Sequence, residues 1–599
     1  MSEAYKLAYS QNYIFCQGKP KLLQVLSQIP GASYTQTQSG EQVVAFPANR
    51  AAFLIAEAIA SPVSVSKEYL EARDQMMSYD EKELRWIQNK LEESGKFKRK
   101  LLPHQLAACL FTLPKRGIIN ASEQGLGKTS YGWAMAALWG CKRVLIVCPK
   151  SLMRTWESEW EAIWSGPRPF GITVMDEGDK QAKANRLKYK RNVSPEFPCA
   201  VIVNYECIPD THDKNTKQVR SEGLLKGILE YTPDCLILDE SFRCKSSEAN
   251  ATKAITKIAD QASHVLLLTG TPVGNNGAAD LYSQLRMLGE AIVPANYWSF
   301  VARYSQMEQK NIGTRTVTKP VGLADPVGLM QMLDPLWYRA TKETCLELPP
   351  KQYHVVKLKL HPDVQKWYDA IEKDGECVLG NYLSLSGNRV VNIRLHQLCG
   401  GFLPQYNPEI GADTETLKES GINDPKVLAT ATYRMVPLPC PKIEWLREFA
   451  KDQLADTPSA RAIVWVRYNT ERARIGGELE KTLGRGRVAE VWGDTSNAEV
   501  ERIKESFNSR DEDGVQVIVA QVAKMYAGHN LQAADHMIYF SNDWSFVKRT
   551  QSEDRSHRLG REGAVEYWDL LIEDSIDSDV KEALEKHQDF NDRIARHTV

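Results

Sequence analysis

Short runs of apolar residues recur along the chain, and a turn or a helix-like stretch follows each of them. In the first half of the chain these runs are VLIVCP (144–149), AVIVNY (200–205), CLILDE (235–240) and VLLLTG (265–270). A second group comes later, with AIVWVR (462–467), VQVIVA (515–520) and HMIYF (536–540). Runs that are apolar on both faces are typical of parallel strands covered by helices. Two separated groups therefore predict two α/β lobes.

The other segments have different patterns. Near the N-terminus, KPKLLQVLSQIPG and ANRAAFLIAEAIA have helical spacing, and ASYTQTQSGEQVVAFP between them predicts two short strands around a polar turn. LYSQLRMLG and HPDVQKWYDAIEKDG, between the two groups of strands, predict a helical insertion, and the last residues predict one amphipathic helix that braces a lobe. The predicted organisation is a small α+β module (1–92), a first lobe (93–285), a helical insertion with the inter-lobe segment (286–440), a second lobe (441–578) and a C-terminal helix (579–599).

Composition restricts the class of protein only loosely. The 599 residues are too many for one core, and apolar and charged fractions of 43% and 25% are ordinary globular values. The formal net charge of -1 gives no support for nucleic-acid binding, although an acidic remainder can offset a basic strip. Two local basic runs, within 96–100 and 183–191, are equally consistent with a solvated surface. None of the 12 cysteines forms a C-x-x-C pair, and no signal core or membrane span is recognisable, which favours a soluble intracellular protein.

The sharpest motif is SEQGLGKTS (122–130), which lies between the apolar GIIN run and a helix-like stretch. A strand, a glycine turn and a helix N-terminus together create a nest of backbone N–H groups that suits phosphate. Gly125 and Gly127 let the backbone approach the phosphates, and Lys128 is expected to reach the β- and γ-phosphates. Thr129 is expected to bind Mg²⁺ through its hydroxyl, and Ser130 is a further candidate for the nucleotide site.

The strand run CLILDES (235–241) ends in two carboxylates. Acidic groups at the end of a buried strand are costly unless they have a role. Asp239 is expected to hold Mg²⁺ through water, and Glu240 to orient and deprotonate an attacking water. Taken alone, the pair is equally consistent with a helix N-cap, but the upstream phosphate loop favours the catalytic interpretation.

Together with LLTGTPVGN (267–275), these motifs resemble helicase superfamily two, and more closely the Swi/Snf-type DNA translocases, over roughly 100–575. The family's phosphate loop reads D-E-M-G-L-G-K-T and lacks the first glycine of the general pattern. This chain has Ser122 at that position, so it agrees with the family form. LLPHQLAACL (101–110) resembles the family's adenine-recognising segment, which implies that Gln105 contacts the adenine. The resemblance implies two RecA-like lobes, with ATP as substrate and Mg²⁺ as cofactor.

Further segments resemble the family's coupling and DNA-contacting motifs. VLIVCPKSLMRTWESEW (144–160) and IVNYE (202–206) are similar to two of them, and LLTGTPVGN to a third. YRATKETCLELPPK (338–351) resembles the segment between the lobes that distinguishes the Swi/Snf type from ordinary helicases. The residues implied in DNA contact or coupling are Pro149, Lys150, Ser151, Tyr205, Thr269, Gly270, Thr271 and Gly528.

The second lobe carries matching motifs of its own. PKIEWLREF (441–449), AIVWVRY (462–468) and VWGDTSNAEVERIKESFN (491–508) are similar to family segments. QSEDRSHRLGR (551–561) resembles Q-A-x-D-R-x-H-R-I-G-Q. This resemblance implies that Gln551 lies at the nucleotide and that Arg555 and Arg558 reach across the cleft to the γ-phosphate as arginine fingers.

The chain departs from the family in two motifs. DESFRCKSS (239–247) keeps the first two residues of the family's D-E-A-H, but Ser241 and Phe242 replace the alanine and the histidine. Whether the fourth position couples hydrolysis to DNA contact is therefore open. KMYAGHNL (524–531) has Met525 and Tyr526 in place of small residues, which leaves the shape of the DNA track open. Residues 22–59 resemble the HARP domain of annealing helicases, although a generic small packing domain fits equally well.

The resemblance implies an ATP-dependent translocase on duplex DNA that remodels forks, reanneals strands or displaces bound proteins. Two alternatives stay open: a strand-separating DNA or RNA helicase, and a nucleotide-gated DNA-binding scaffold with weak hydrolysis. The expected partner is duplex or forked DNA, contacted mainly at its phosphates, with no membrane and a monomeric state. Because chromatin-reading appendages are not recognisable, a bacterium or bacteriophage is the expected source, and the cytoplasm is favoured over a nucleus as the location.

Overall fold

The computed structural model describes most of the chain in two compact units, Met1–Glu347 with His587–Val599 and Leu348–Lys586. The described residues are 6–17, 23–24, 26–27, 32–36, 41–48, 64–69, 71–72, 80–93, 97–163, 171–178, 182–187, 199–212, 219–273, 276–312, 315–321, 324–346, 348–374, 376–379, 382–385, 391–406, 433–525, 531–557, 561 and 563–595. None of the helices in these ranges is long and apolar enough to cross a membrane.

A small sheet opens the first unit. Its strands are β1 (Lys6–Ser10), β2 (Tyr13–Gln17), β3 (Ser33–Gln36), β4 (Gln42–Pro47) and β5 (Ser64–Val65), in the order β3-β4-β2-β1-β5. β3 and β4 pair antiparallel, which confirms the two strands predicted here. Helix α1 (Glu81–Glu93) follows, and the sheet shares one continuous core with the first lobe. The helix predicted for ANRAAFLIAEAIA lies outside the described residues.

The first lobe is built on a parallel sheet of seven strands. The remaining strands of this unit are β6 (Gly117–Asn120), β7 (Arg143–Cys148), β8 (Gly171–Val174), β9 (Cys199–Asn204), β10 (Thr211–His212), β11 (Val219–Ser221), β12 (Cys235–Asp239), β13 (His264–Leu268), β14 (Gln306–Ile312), β15 (Arg315–Val321) and β16 (Trp337–Tyr338). The sheet has the order β16-β6-β13-β12-β7-β9-β8, and all its pairs are parallel. β12 is buried along its whole length, as its unbroken apolar run predicts.

Helices cover this sheet and alternate with its strands. They are α2 (Pro103–Thr112), α3 (Lys128–Leu138), α4 (Met153–Ile163), α5 (Leu225–Tyr231), α6 (Asn250–Gln261), α7 (Tyr282–Leu288), α8 (Tyr297–Tyr304), α9 (Pro326–Leu333) and α10 (Lys342–Cys345). Because every strand of a parallel sheet runs the same way, all the loops that follow the strands leave at one edge. That edge positions the candidate site.

The second unit is a separate α/β lobe. Its strands are β17 (Lys351–Leu358), β18 (Glu376–Leu379), β19 (Tyr382–Leu385), β20 (Phe402–Tyr406), β21 (Tyr433–Pro437), β22 (Ala462–Val466), β23 (Val488–Val491), β24 (Val517–Gln521), β25 (His536–Tyr539) and β26 (Val565–Ile572). Its helices are α11 (Pro362–Asp374), α12 (Val391–Cys399), α13 (Pro441–Phe449), α14 (Asn469–Leu483), α15 (Asn497–Ser509), α16 (Val522–Met525), α17 (Phe546–Glu553) and α18 (Ile576–Ala595), of which residues 576–586 belong to this unit. Six strands form a parallel sheet in the order β17-β26-β25-β22-β24-β23. The prediction of two α/β lobes, each a parallel sheet flanked by helices as in RecA-like folds, is confirmed.

The segment 286–440 differs from the predicted helical insertion. It contains helices, but β17 lies within it and pairs in parallel with β26 over its whole length. Since β17 is an edge strand and alternates between half-buried and exposed positions, it lacks the continuous apolar run by which the other strands were recognised. The antiparallel pairs β14–β15, β18–β19 and β20–β21 also fall in this segment.

A buried ion cluster ties the start of α18 to the second unit. The ammonium group of Lys442 on α13 lies 2.7 Å from the carboxylate of Asp577 and donates to the carbonyl of Phe540 at 2.8 Å. His396 on α12 lies 3.2 Å from the same carboxylate. Burial favours the neutral form of Asp577, but Lys442 and His396 outweigh it and lower the pKa to about 2. The C-terminal helix is therefore held by charge as well as by apolar packing.

We expect Asp577→Asn to destabilise the second unit by about 3–5 kcal/mol, because it leaves Lys442 buried without its counterion. Urea unfolding at neutral pH measures this loss. Since the folded-state pKa is depressed, the contribution of Asp577 is complete above pH ~4 and is lost as the pH falls towards 2. Asp579→Asn on the exposed face of α18 is the matched control, and equal midpoints for the two variants would contradict the assignment.

Candidate functional site

Three loops predicted to carry chemistry leave the first sheet side by side. The strand register aligns Asp239 of β12 with Leu268 of β13, and Leu268 with Asn120 of β6. The residues after these three positions therefore emerge at one edge of the sheet. This brings together the phosphate loop (121–127), the acidic turn (239–241) and the threonine loop (269–273).

The phosphate loop depends on its glycines. Gly125 and Gly127 have φ values of 89° and 73°, in the left-handed region that other residues rarely adopt. A Cβ on Gly127 would lie 2.0 Å from Nε2 of Gln105. That amide nitrogen donates to the carbonyls of Leu126 and Gly127, each at 3.2 Å. Gln105, predicted to contact adenine, thus lies directly against the loop and defines its shape.

Helix α3 begins at Lys128 and directs its N-terminus at the loop. Nζ of Lys128 donates to the carbonyls of Ser122 at 2.6 Å and of Glu123 at 3.0 Å, which holds the ammonium group inside the loop. Thr129 is half-buried in the first turn of the helix. Ser130, the other predicted contact, donates instead to Glu159 of α4 at 3.0 Å. The structure therefore brings Lys128 and Thr129 to the loop and turns the Ser130 hydroxyl to a neighbouring helix.

Asp239 ends β12 and Glu240 follows it, and both are largely buried. The carboxylate of Asp239 accepts from Nε1 of Trp156 at 2.8 Å and from the backbone N–H of Glu240 at 3.0 Å. Burial raises the pKa of Asp239, and the Trp156 hydrogen bond and the positive charge of Lys128 oppose that rise. These two groups favour the ionised carboxylate, the form that binds a metal ion.

Glu240 has a strained backbone. Its φ of 55° lies in the left-handed region, which costs a residue with a side chain about 1–3 kcal/mol. Its carboxylate accepts from Nε2 of Gln124 in the phosphate loop at 3.0 Å. The strained turn therefore directs the carboxylate towards the phosphate loop, as a catalytic role requires.

Sequence reasoning missed the supporting residues Trp156 and Gln124. The apolar spacing of Trp156 and Trp160 on α4 indicates a buried helix face, and both do pack against Trp133, with ring centroids 5.7 Å and 4.6 Å away. That packing places the indole N–H of Trp156 at Asp239. Only the tertiary arrangement reveals this, because 83 residues separate the two along the chain.

The threonine loop packs on the phosphate loop. Thr269 donates its backbone N–H to the carbonyl of Asn120 at 3.1 Å, and its hydroxyl accepts from the N–H of Thr271 at 3.2 Å. A Cβ built on Gly270 would lie 3.1 Å from Cγ of Gln124. The threonine loop and the phosphate loop are therefore packed directly against each other.

Ser241, a departure from the family pattern, makes a buried link. Its hydroxyl donates to Oε1 of Gln284 at 2.9 Å, and Nε2 of Gln284 donates to the carbonyl of Pro272 at 2.8 Å. Both side chains are fully shielded from solvent. The acidic turn and the threonine loop are therefore joined through Gln284, a residue that sequence analysis did not single out.

The predicted DNA-contacting residues divide into two groups. Pro149 follows β7 at the same edge of the sheet, and Lys150 and Ser151 after it are exposed. Tyr205 is buried, and its hydroxyl donates to the backbone carbonyl of Asp239 at 2.7 Å. Tyr205 therefore supports the acidic turn from inside the core. Gly528 lies outside the described residues.

The second unit carries the predicted arginine region. Arg555 follows α17, is 3% exposed, and donates from Nε to the carbonyl of Gln551 at 2.9 Å. Gln551 is itself buried. Arg558 lies outside the described residues. Arg549 on the same helix binds Asp569 of β26 and Asn542, with a 2.8 Å bond to the latter, and so fixes α17 to the sheet.

Family comparison agrees with this geometry. The description "SNF2-related domain" matches residues 23–398, and "Helicase conserved C-terminal domain" matches residues 441–560. The first match alone covers more than half of the chain. The chain belongs to the SNF2-related family. The family resemblance inferred from the motifs is thereby confirmed, whereas the HARP-like interpretation of residues 22–59 stays a prediction.

Curated relatives of this SNF2-related protein are distant. DNA repair and recombination protein RAD54B from Gallus gallus is 22% identical over 82% of this chain and 54% of its own. DNA annealing helicase and endonuclease ZRANB3 from Mus musculus is 24% identical over 81% of this chain and 40% of its own. The chain thus spans about half or less of the length of these two relatives. The solved Sulfolobus solfataricus SWI2/SNF2 ATPase core in complex with dsDNA is 18% identical, with a TM-score of 0.33, over 82% of this chain and 92% of that one.

The Ser241–Gln284 hydrogen bond in this SNF2-related protein can be tested by comparing the stabilities of single and double variants. We expect Ser241→Ala or Gln284→Leu alone to cost about 1–3 kcal/mol of stability, because each leaves a buried polar group without its partner. The double variant should cost clearly less than the sum of the two. Chemical denaturation of the four proteins measures the coupling, and strictly additive losses would show that the hydrogen bond does not form.

Proposed function

We propose that this protein hydrolyses ATP and uses the energy to translocate along duplex DNA. The observation that carries the proposal is the convergence of Lys128, Asp239 and Glu240 at one edge of the first sheet, in a chain of the SNF2-related family. A phosphate loop, a metal-binding carboxylate and a general base are the groups that phosphoryl transfer to water requires. DNA remodelling, strand reannealing and displacement of bound proteins are the outputs that such movement would produce.

The phosphate loop supplies the site for the nucleotide's phosphates. The backbone N–H groups at the start of α3 and the Lys128 ammonium group present positive charge to the same point. Phosphate oxygens are ionised, so they form stronger hydrogen bonds with an ammonium group than the two loop carbonyls do. Lys128 is therefore proposed to exchange those carbonyls for phosphate oxygens. Gln105, at the side of the loop, is proposed to contact the base.

Thr129 and Asp239 fit a Mg²⁺ ion. Mg²⁺ prefers oxygen ligands and is often held by one or two carboxylates together with substrate phosphates. The positive charge of Lys128 in the loop acts on Asp239, and the Trp156 indole fixes the orientation of its carboxylate. When bound, the ion supplies positive charge that stabilises the phosphates during transfer.

Glu240 is proposed to deprotonate the attacking water. Its carboxylate is held towards the phosphate loop by Gln124, and the left-handed turn keeps it in that direction. A general base must lie within hydrogen-bond reach of the proton that it removes, and the contact with Gln124 of the phosphate loop supports this role for Glu240. Arg555 is proposed to add positive charge at the γ-phosphate during hydrolysis.

DNA is the proposed track, in duplex or forked form, with the protein acting as a monomer. RAD54B is named as a DNA repair protein and ZRANB3 as a DNA annealing helicase, which supports DNA over RNA. Lys150 and Ser151 are exposed beside the candidate site, where they suit contacts to a phosphate backbone. Such binding is tolerant of sequence and weakens as salt rises.

Phosphate release from ATP tests the proposal. We expect duplex or forked DNA to raise the rate several-fold over protein alone, and Glu240→Gln to lower the stimulated rate by about 10²–10⁴-fold. Glu248→Gln, on an exposed side chain of the same loop region, is the matched control and should retain the wild-type rate.

The nucleic acid that stimulates hydrolysis separates the candidate functions. Stimulation only by single-stranded DNA or by RNA would replace translocation with strand separation. No stimulation by any nucleic acid would favour a nucleotide-gated scaffold. A fork-to-duplex rate ratio well above one would support a role at branched DNA.

The Trp156 hydrogen bond gives a separate prediction. We expect Trp156→Phe to raise the Mg²⁺ concentration for half-maximal hydrolysis by about 10–100-fold, because Asp239 loses the donor that orients it. Trp160→Phe on the same helix removes a similar volume and leaves the Trp156–Asp239 bond intact. A Mg²⁺ titration that gives the same midpoint for both variants would count against Trp156 as the orienting group.

A further inference from the structure

One segment joins the two lobes covalently and is bound to candidate-site residues at both ends. We call the described residues 337–346 and 348–353 the connector. It begins with β16, an edge strand of the first sheet, and ends in β17, an edge strand of the second. Its two ends make unusually specific polar contacts, and each set of contacts lies within one compact unit.

The N-terminal end of the connector is bonded to the phosphate loop. Ala121 donates its N–H to the carbonyl of Tyr338 at 2.7 Å, and Glu123 donates its N–H to the carbonyl of Ala340 at 3.0 Å. In return Ala340 donates to the hydroxyl of Ser122 at 3.1 Å. These bonds continue the pairing of β16 with β6 past the end of β6 and into the phosphate loop.

The Glu123 side chain adds charge to this attachment. Its carboxylate accepts from the backbone N–H of Lys342 at 2.9 Å and lies 3.7 Å from the guanidinium of Arg339. The backbone carbonyl of the same Glu123 holds Lys128 on the other side of the loop. If Lys128 exchanges that carbonyl for phosphate, the hydrogen bonding of Glu123 changes, and Glu123 is one of the residues that bind the connector.

The C-terminal end of the connector is bonded to the helix that precedes Arg555. Nζ of Lys351 lies 3.2 Å from the carboxylate of Glu553 and 3.9 Å from that of Asp554. The hydroxyl of Tyr353 donates to Glu553 at 2.7 Å, and the carbonyl of Pro349 is 2.9 Å from Nε2 of His557. Contacts with the connector thus lie immediately before and after Arg555.

The charge pair at this end is well shielded. Lys351 and Glu553 have side chains that are 24% and 11% exposed. Burial favours the neutral form of Glu553, but the positive charges of Lys351 and Arg549 outweigh it and lower its pKa. Arg549 ties α17 to the sheet through Asp569 of β26, and Lys351 ties it to the connector through Glu553. Removing Lys351 would take away the only charged contact among the described residues between the connector and α17 and leave the neutral hydrogen bond from Tyr353.

We propose that the connector transmits the state of the phosphate loop to Arg555, with Glu123 and Lys351 as the positioning residues at its two ends. Neither residue needs to touch the nucleotide. The inference rests on the proposed ATP-hydrolysing function, because it assigns to Lys351 the placement of an arginine that acts in hydrolysis.

Hydrogen exchange with a non-hydrolysable ATP analogue tests transmission without requiring hydrolysis. In the wild-type protein, analogue binding should change the exchange of the amides in 546–557. Lys351→Met keeps most of the side-chain volume but removes the charge, so it should bind the analogue with an affinity within about twofold of wild type and lose that change. Glu123→Gln, at the other end, should also reduce it.

Steady-state hydrolysis with saturating duplex DNA gives the second readout. Since an arginine finger supplies about 10³–10⁵ in rate, displacing one should lower kcat by at least about tenfold in Lys351→Met while KM for ATP changes little. Lys351→Arg restores the charge and should recover most of the rate. Lys357→Met, an exposed lysine of the same strand, is the matched control and should behave as wild type.

The outcomes separate the inference from the function on which it rests. A wild-type protein that neither binds the analogue nor hydrolyses ATP overturns both. A wild type that hydrolyses ATP, with Lys351→Met retaining its kcat and its exchange response, overturns the connector alone. So does a loss in Lys351→Met that Lys357→Met reproduces or that Lys351→Arg does not repair.

Discussion

The strand register of the first sheet is the constraint on which the candidate site depends. Tyr338, Asn120, Leu268 and Asp239 occupy one row across four adjacent parallel strands. Because the strands are parallel, the four segments that follow these residues all begin at the same end of the sheet. The connector, the phosphate loop, the threonine loop and the acidic turn are neighbours for that reason. A shift of one residue in any of these pairs would move its side chains to the opposite face of the sheet.

Buried polar contacts complete what the register begins. Trp156 orients Asp239, Gln124 directs Glu240, and Gln284 joins Ser241 to the threonine loop. In a low-dielectric interior each of these bonds is costly to break, so they define the positions of the two carboxylates and of the threonine loop. This explains how a site with a substituted fourth position keeps a physical connection between its acidic turn and its threonine loop.

Buried charge pairs also position a helix in the second unit. Arg549 of this helix pairs with Asp569 of β26, and Lys351 pairs with Glu553 of the same helix, so the helix before Arg555 is held from two sides. Buried charge pairs contribute little net stability, but they define the position of a helix closely, because an unpaired charge in the interior is so unfavourable. We therefore attribute the Lys351–Glu553 pair to positioning of the helix before Arg555 and not to stability.

The sequence by itself determined the two α/β lobes, the phosphate loop with Lys128, the carboxylates Asp239 and Glu240, and the family. These features are local: apolar runs specify parallel strands, and glycines at fixed spacing specify a loop. It did not reveal β17 as part of the second sheet, because an edge strand alternates and lacks the apolar signal. Trp156, Gln284 and the Lys351–Glu553 pair were also missed, since their partners lie 43 to 202 residues away along the chain. Only the tertiary structure brings them together, because hydrogen bonds and charge pairs between distant residues leave no periodic trace in the sequence.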